Sequence, residues 1–213
     1  MIDVGSLRND IAQCRACAVE LPCGPRPIVQ FASGARIVIV SQAPGRLVHE
    51  SGLPWDDASG DRLREWTGLA PEVFYDPERV ALVPMGLCYP GRGASGDLPP
   101  RRECAPLWHD RILACLTERR LTLLVGQYAQ ARHLPQDRRT VTERVRPFDT
   151  LAPGIVALPH PSWRSTGWMR RNPWFEVEIL PLLRARVAQA LVSPDRNGMA
   201  VSIPQNRNAL CKA

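Results

Sequence analysis

The sequence predicts an α/β fold: a three-layer α/β/α domain built on a central four-stranded, mainly parallel sheet. Three observations carry this. Four short runs, Ile37 to Val40, Val80 to Val83, Leu121 to Val125 and Ile155 to Leu158, are apolar at nearly every position rather than at alternate ones, as strands covered on both faces are. Between them lie stretches whose apolar residues recur at helical spacing, and strand–helix alternation puts helices on both sides of a parallel sheet. The chain has 213 residues, 45% of them hydrophobic, which is enough for one full core and short for two. Residues 1–192 are therefore read as one domain, and 193–213 as a polar tail without a core.

Taken in order, Leu7, Ile11 and Cys14 share one face of a short helix that Ser6 would cap and that runs into Cys14 to Cys17. After the first strand come a Pro/Gly turn, Ser41 to Gly45, and the stretch Asp56 to Gly60. These lead into a helix with Leu63, Trp66 and Leu69 on its buried face and Gly68 as its stop. The second strand opens into Pro84 to Gly96, too rich in Pro and Gly to be regular. Leu107, Trp108, Ile112 and Cys115 then mark another helix, and the third strand ends at Gly126 before a helical stretch through Ala131. Residues Pro135 to Arg146 read as a solvated connection with an edge strand near Val141 to Val145. The fourth strand ends in Pro159, His160, Pro161 and Ser162. Asn172 and Pro173 suit the start of a last helix with Leu180, Leu183, Val187 and Leu191 buried and a kink at Pro181.

The formal net charge is +6, from 27 Lys and Arg against 21 Asp and Glu, and nearly all the basic residues are arginine. Arginine suits planar and phosphate partners, so the balance admits a polyanion without establishing one. The segment MIDVGSLRND has no apolar core, and no run approaches the ~20 apolar residues that span a bilayer. A cytoplasmic protein is expected. Seven cysteines in a reducing compartment argue against a disulfide framework and leave metal ligands or small buried hydrophobes.

Four groups of residues could carry chemistry. Cys14 and Cys17 form a CxxC, and Cys88 and Cys104 fall outside the predicted strands, where thiolates can converge. Four such residues suit tetrahedral zinc or an iron–sulfur cubane, while buried filler is the ordinary alternative. Cys23 competes for a ligand place, and Cys115 reads as core. The loop from Ser41 to Gly60 offers Asp56 and Asp57, with His49 and Glu50 nearer the turn, and it reads either as a site or as an ordinary helix cap. Trp55, directly before the acids, supplies a stacking surface. His160, flanked by prolines at a strand's C-terminal end, points to the same sheet edge. Trp163, Arg164, Trp168, Met169, Arg170 and Arg171 alternate rings with guanidinium groups, as a nucleic-acid surface or an amphipathic packing segment would.

These motifs together resemble the uracil-DNA glycosylase superfamily, most closely its iron–sulfur branches, families 4 and 5. The likeness runs from Cys14 to about Leu191: SQAPG is similar to the first motif, SGLPWDDASG to the segment ending in DASG, and LPHPS to the HPS motif. The resemblance implies a monofunctional DNA glycosylase that flips a uracil or related damaged base and hydrolyses its N-glycosidic bond. It implies a [4Fe-4S] cluster on Cys14, Cys17, Cys88 and Cys104, with zinc as the alternative. Trp55 becomes the stacking wall, Asp57 the carboxylate and His160 the donor to the leaving base, with Gln42 completing the catalytic set. Ala43, Gly45, Asp56, Met85 and Ser162 join Trp55 around the substrate, and Trp163 to Arg171 face DNA, with Trp168 or Met169 as the wedge.

The chain departs from relatives in its first motif. Gln42 stands where family 4 has glutamate and Ala43 where family 1 has its acid, so the motif is non-acidic as in family 5. Pro84 stands where relatives read the pyrimidine edge with asparagine, which leaves recognition to backbone around Met85 or to side chains such as Gln42. Gly45 leaves no ring to exclude a 5-methyl group. The missing acid also admits a different class of function, a DNA or abasic-site binding protein of the same fold without turnover.

Overall fold

β-Branched side chains favour extended backbone, and all four apolar runs are strands: β1 (Ile37–Ser41), β2 (Val80–Pro84), β5 (Leu121–Val125) and β6 (Ile155–Leu158). The computed structural model describes residues 3–94, 96–148 and 151–192, and the tail expected from residue 193 lies outside them. The four strands form one sheet in the order β2-β1-β5-β6, every pair parallel. Ile37 pairs with Val80 on one side and Leu121 on the other.

Alternate side chains leave the sheet on opposite faces, and here each face is covered. Ile37, Ile39, Leu82 and Leu123 pack with Leu63 and Trp66 of α3 (Ala58–Thr67) and Leu183 and Val187 of α9 (Leu180–Leu191). Val38, Val40, Ala81 and Val83 pack with Leu7 and Ile11 of α1 (Val4–Ala12), Trp108 and Ile112 of α5 (Cys104–Cys115), and Ala129 of α6 (Gln127–His133). The outer edge of β2 is closed by Gln30, which exchanges backbone hydrogen bonds with Leu82 and donates its Nε2 to the carbonyls of Phe74 and Val80. That cover leaves little free strand edge there for another chain to join.

Several local expectations are corrected. Asp3, not Ser6, caps α1, its carboxylate accepting from the Ser6 N–H at 2.7 Å, and the helix stops at Ala12 before the first cysteine. A short helix, α2 (Arg46–Ser51), follows the SQAPG turn and ends on left-handed Gly52; α4 (Pro71–Phe74) precedes β2. The Pro/Gly-rich stretch contains a small antiparallel ladder, β3 (Arg92–Gly93) with β4 (Gly96–Asp97). Instead of an edge strand, Val141–Val145 forms α7, because Thr140 and Glu143 close a reciprocal capping box.

Asn172 ends α8 (Ser165–Arg171) rather than starting a helix, donating Nδ2 to the Trp168 carbonyl at 2.8 Å. A wide π-turn over Phe175–Ile179 leads into α9, whose second residue is Pro181. Proline lacks the N–H for the usual bond and crowds the preceding turn, which the widened turn accommodates. Leu107 is exposed, while Trp108, Ile112 and Cys115 are buried as expected. Among the described residues no helix is long and apolar enough to cross a membrane.

In α8 and the turn before it, the two tryptophans expected to face nucleic acid part company. Trp168 packs against the core, its ring edge-on to Trp174 and Phe175, and its Nε1 donates to Thr142 Oγ1 at 2.8 Å. Met169 packs on the same cluster, both side chains being half-buried, and Trp168 also lines the cleft at the C-terminal ends of the strands. Trp163 is 77% exposed. Trp168→Ala is expected to lower unfolding free energy by roughly 3 kcal/mol through lost packing, and Trp163→Ala to change it by under about 0.5 kcal/mol, read from urea denaturation midpoints.

Candidate active site

The chain steps from β1 to β2 on one side of the sheet and later adds β5 on the other side of β1. Loops leaving the C-terminal ends of β1 and β5 therefore diverge, and a crevice opens between them. It is a cleft of about 1050 Å³. Gln42, Ala43 and Gly45 line it after β1, Pro84 at the end of β2, Gly126 to Tyr128 after β5, and His160 and Ser162 after β6.

Asp57 caps α3. Its Oδ1 accepts from the Gly60 N–H at 2.8 Å, and its backbone is extended. The expected alternatives, helix cap and site residue, are thus not exclusive, because the capping carboxylate also lines the cleft. Burial raises its pKa above the usual carboxylate value, against the Gly60 and Ser59 N–H groups that lower it. Trp55 is the one non-glycine residue with positive φ among the described residues, at 61°, a conformation that costs about 1–2 kcal/mol. A Cβ on Gly60 would lie 1.8 Å from the Trp55 carbonyl oxygen, so only glycine lets this carbonyl seat against the helix start.

So held, the Trp55 ring stacks on the His160 imidazole with centroids 5.7 Å apart and planes 25° from parallel. Gly126 makes room for that imidazole: a Cβ there would be 3.3 Å from His160 Cβ, and its φ of +83° suits glycine. Arg62 of α3 donates to the carbonyls of Pro161 and Ser162 at 3.3 and 3.0 Å, tying the turn after β6 to the helix behind Asp57. Burial pulls the His160 pKa down to about 4, so near neutral pH the ring is an uncharged imidazole with one N–H to give.

Several expected site residues lie elsewhere. Met85 is buried on the opposite face of the sheet with Leu87 and Cys104, and does not line the cleft. The backbone around it is already committed: Met85 N–H donates to Ser41 O at 2.9 Å, Gly86 N–H to Gln42 O at 2.8 Å, and the Pro84 carbonyl accepts from buried His109 Nε2 at 2.8 Å. Asp56 is exposed outside the cleft, and Glu50 pairs with Arg46 on α2. Arg170 and Arg171 are exposed on α8 beyond the cleft lining, whereas Trp163 and Arg164 line its mouth. Residues not foreseen at the cleft include Tyr89, then Arg92 and Asp97 of the β3–β4 ladder that follows it, and also Gln127 and Tyr128.

Cys14, Cys17, Cys88 and Cys104 line a second, small and mostly apolar pocket with Leu21, Pro25, Leu87 and Trp108. Leu87 N–H points at Cys104 Sγ at 3.2 Å, a donor that suits a thiolate. Burial pushes the bare thiols up, Cys88 to about 11 and Cys104 to about 12, so a bound cation would have to draw off their protons. Four cysteines lining one pocket with an apolar wall, and an N–H···S bond to one of them, are a donor set whose chemistry fits a metal centre. No group of three or more His, Cys, Asp or Glu among the described residues is already drawn together to hold a single ion. Cys23 is exposed and not part of the pocket lining, and Cys115 is buried in α5.

Fold and cleft together define an α/β domain in which an acid, an imidazole and an indole line one cleft at the switch point of a parallel sheet. The family model described as the uracil DNA glycosylase superfamily matches residues 28–184, and the chain belongs to that superfamily. The general chemistry that goes with membership is that of a DNA glycosylase, a hydrolase acting on damaged bases, with DNA as its partner. The match includes Cys88 and Cys104 and begins after Cys14 and Cys17.

The buried histidines set an acid limit on stability. His160 and His133 are depressed to about 4, and His109 is lowered, all chiefly by desolvation. Below about pH 6.5 the unfolded chain binds protons that the folded chain refuses, so stability falls as pH drops toward 4. Urea midpoints should be lower at pH 5 than at pH 7, and His133→Gln should shrink the difference.

Proposed function

We propose that the protein is a monofunctional uracil-DNA glycosylase: it takes a flipped uracil or related damaged base into the cleft and hydrolyses its N-glycosidic bond, leaving an abasic site. The observation that carries this reading is the meeting of Asp57, Trp55 and neutral His160 in one cleft. Bond cleavage develops positive charge on the sugar and negative charge on the departing base. A carboxylate stabilises the first, and an imidazole N–H donates to the second. A neutral histidine is the better donor here, because its proton stays in place while the base anion forms.

Trp55 offers the base a π-face. With the backbone at the end of β2 already hydrogen-bonded, the base edge is read by side chains, and Gln42 and Gln127 are the carboxamides that line the cleft. Trp163, exposed beside Arg164 with that guanidinium 5.5 Å from its ring centroid, takes the place of Trp168 as the residue that enters the duplex. The four cysteines would hold a [4Fe-4S] cluster, zinc being the alternative. The group would supply a structural tie between the segment of Cys14 and Cys17 and the loops of Cys88 and Cys104.

Alkali cleavage of uracil-containing single- and double-stranded oligonucleotides tests the activity. The wild type should leave alkali-labile sites, and Asp57→Asn should cut the single-turnover rate by about 100-fold or more. The rate should rise through an acid limb set by Asp57, above the usual carboxylate value, and show no inflection near pH 6.5, because His160 is already neutral there. Salt-dependent DNA binding without base release, unchanged in Asp57→Asn, would leave the non-catalytic binder instead.

Protein purified without oxygen should contain iron and acid-labile sulfide in equal amounts and absorb broadly in the visible. Cys104→Ser should lose both. Zinc without sulfide would replace the cluster.

A further inference from the structure

The cleft holds a second carboxylate that the sequence motifs do not point to. Asp97 lies in β4, on the short ladder between Cys88 and Cys104, and lines the cleft with Asp57. Buried Tyr89 has its hydroxyl 3.4 Å from Asp97 Oδ1, and burial raises the phenol's pKa, so it remains a donor. The other oxygen, Oδ2, is directed at Gly45: a Cβ built on that glycine would be 3.4 Å from Asp97 Oδ2 and 3.9 Å from Asp57 Oδ2. Each acid therefore has one oxygen pinned, Asp57 by the Gly60 N–H and Asp97 by Tyr89, and the other near the same position at Gly45.

Gly45 is not glycine for reasons of backbone. Its φ of −80° and ψ of 176° are open to any residue. The side of the cleft where its side chain would stand is flanked by one oxygen of each acid, 3.4 and 3.9 Å from a Cβ built there.

We infer that Asp97 is a second catalytic carboxylate, and that Asp57 and Asp97 together hold the attacking water over Gly45. The inference rests on the glycosylase reading above. As the bond from C1′ to the base nitrogen breaks, its electron pair leaves with the base, which the His160 N–H meets. The water oxygen gives a lone pair to the cationic C1′, and one of its protons passes to the nearer carboxylate oxygen. That proton returns through solvent to the base, so the products are a 1′-hydroxyl sugar and the neutral base. Two acceptors orient both protons of the water, which leaves its lone pair facing the sugar.

Single-turnover release of uracil from a single-stranded oligonucleotide, with Kd measured separately, tests this on Asp97→Asn, Gly45→Ala and the double variant. Asp97→Asn should slow release by about 100-fold with little change in Kd. Gly45→Ala introduces only ordinary contacts with the two acids, so it should fold and still slow release at least tenfold by filling the water's place. The double variant should be no slower than Asp97→Asn alone. If the wild type releases uracil and both single variants, folded by circular dichroism, release it at the wild-type rate, the role of Asp97 is overturned and the glycosylase reading stands. Loss of wild-type activity in a chelator, restored by magnesium or manganese but not by zinc, would put a metal ion between the acids and also overturn it. If the wild type releases no base from single or double strands, the glycosylase reading itself fails.

Discussion

The contact between the Trp55 carbonyl and the α-carbon of Gly60 governs the geometry of the whole cleft. No side chain fits between them. The close approach folds the chain back at the helix start, which holds Trp55 in a left-handed conformation and lets Asp57 reach the Gly60 N–H. The same bend carries the indole onto His160. A wall, an acid and the orientation of an imidazole thus depend on one glycine. The strain at Trp55 is compensated by Asp57's capping of α3 and by ring stacking, both made in that arrangement alone.

Behind this contact the parallel sheet acts as a rigid frame. Its strands are buried along nearly their whole length, so their C-terminal ends are fixed relative to one another, and residues from four separate segments keep one spacing. Arg62 adds a brace from α3 to the turn after β6, coupling the element that presents Asp57 to the one that presents His160. The enclosure that shields the cleft also lowers the basicity of His160 and raises that of Asp57. Desolvation opposes charge on either group, and it therefore moves the two pKa values toward each other.

Strands and helix faces were legible in the sequence because burial on two faces writes unbroken apolar runs, and burial on one writes a helical period. Ile37 to Val40 and Leu63, Trp66, Leu69 are such cases. Short elements held by tertiary contacts left no such trace. The ladder of β3 and β4 has two residues on each side, and its Pro and Gly content hid it, so Asp97 and Tyr89 were missed with it. For α7 the signal existed in Thr140 and Glu143, a capping pair three residues apart. Trp163 and Trp168 could not be told apart by composition, since five positions along the chain separate an exposed ring from one packed on Phe175. Met85 follows a buried strand into the second core, a direction that depends on which face of the sheet its neighbours cover.

Cys88 and Cys104 line the same pocket, so the chain between them leaves and re-enters one place. In polymer terms it is a ring, and the entropy of closing a segment of this length is about 2.5 kcal/mol by the logarithmic law. The ladder bearing Arg92 and Asp97 hangs within that ring, and Gly91 packs near Pro22 of the segment that follows Cys17. The reach of Asp97 into the cleft therefore depends on how closely the two ends of the ring are held together as well as on the sheet. Parting the ring's neck would release slack into a wall of the cleft that no strand of the main sheet supports.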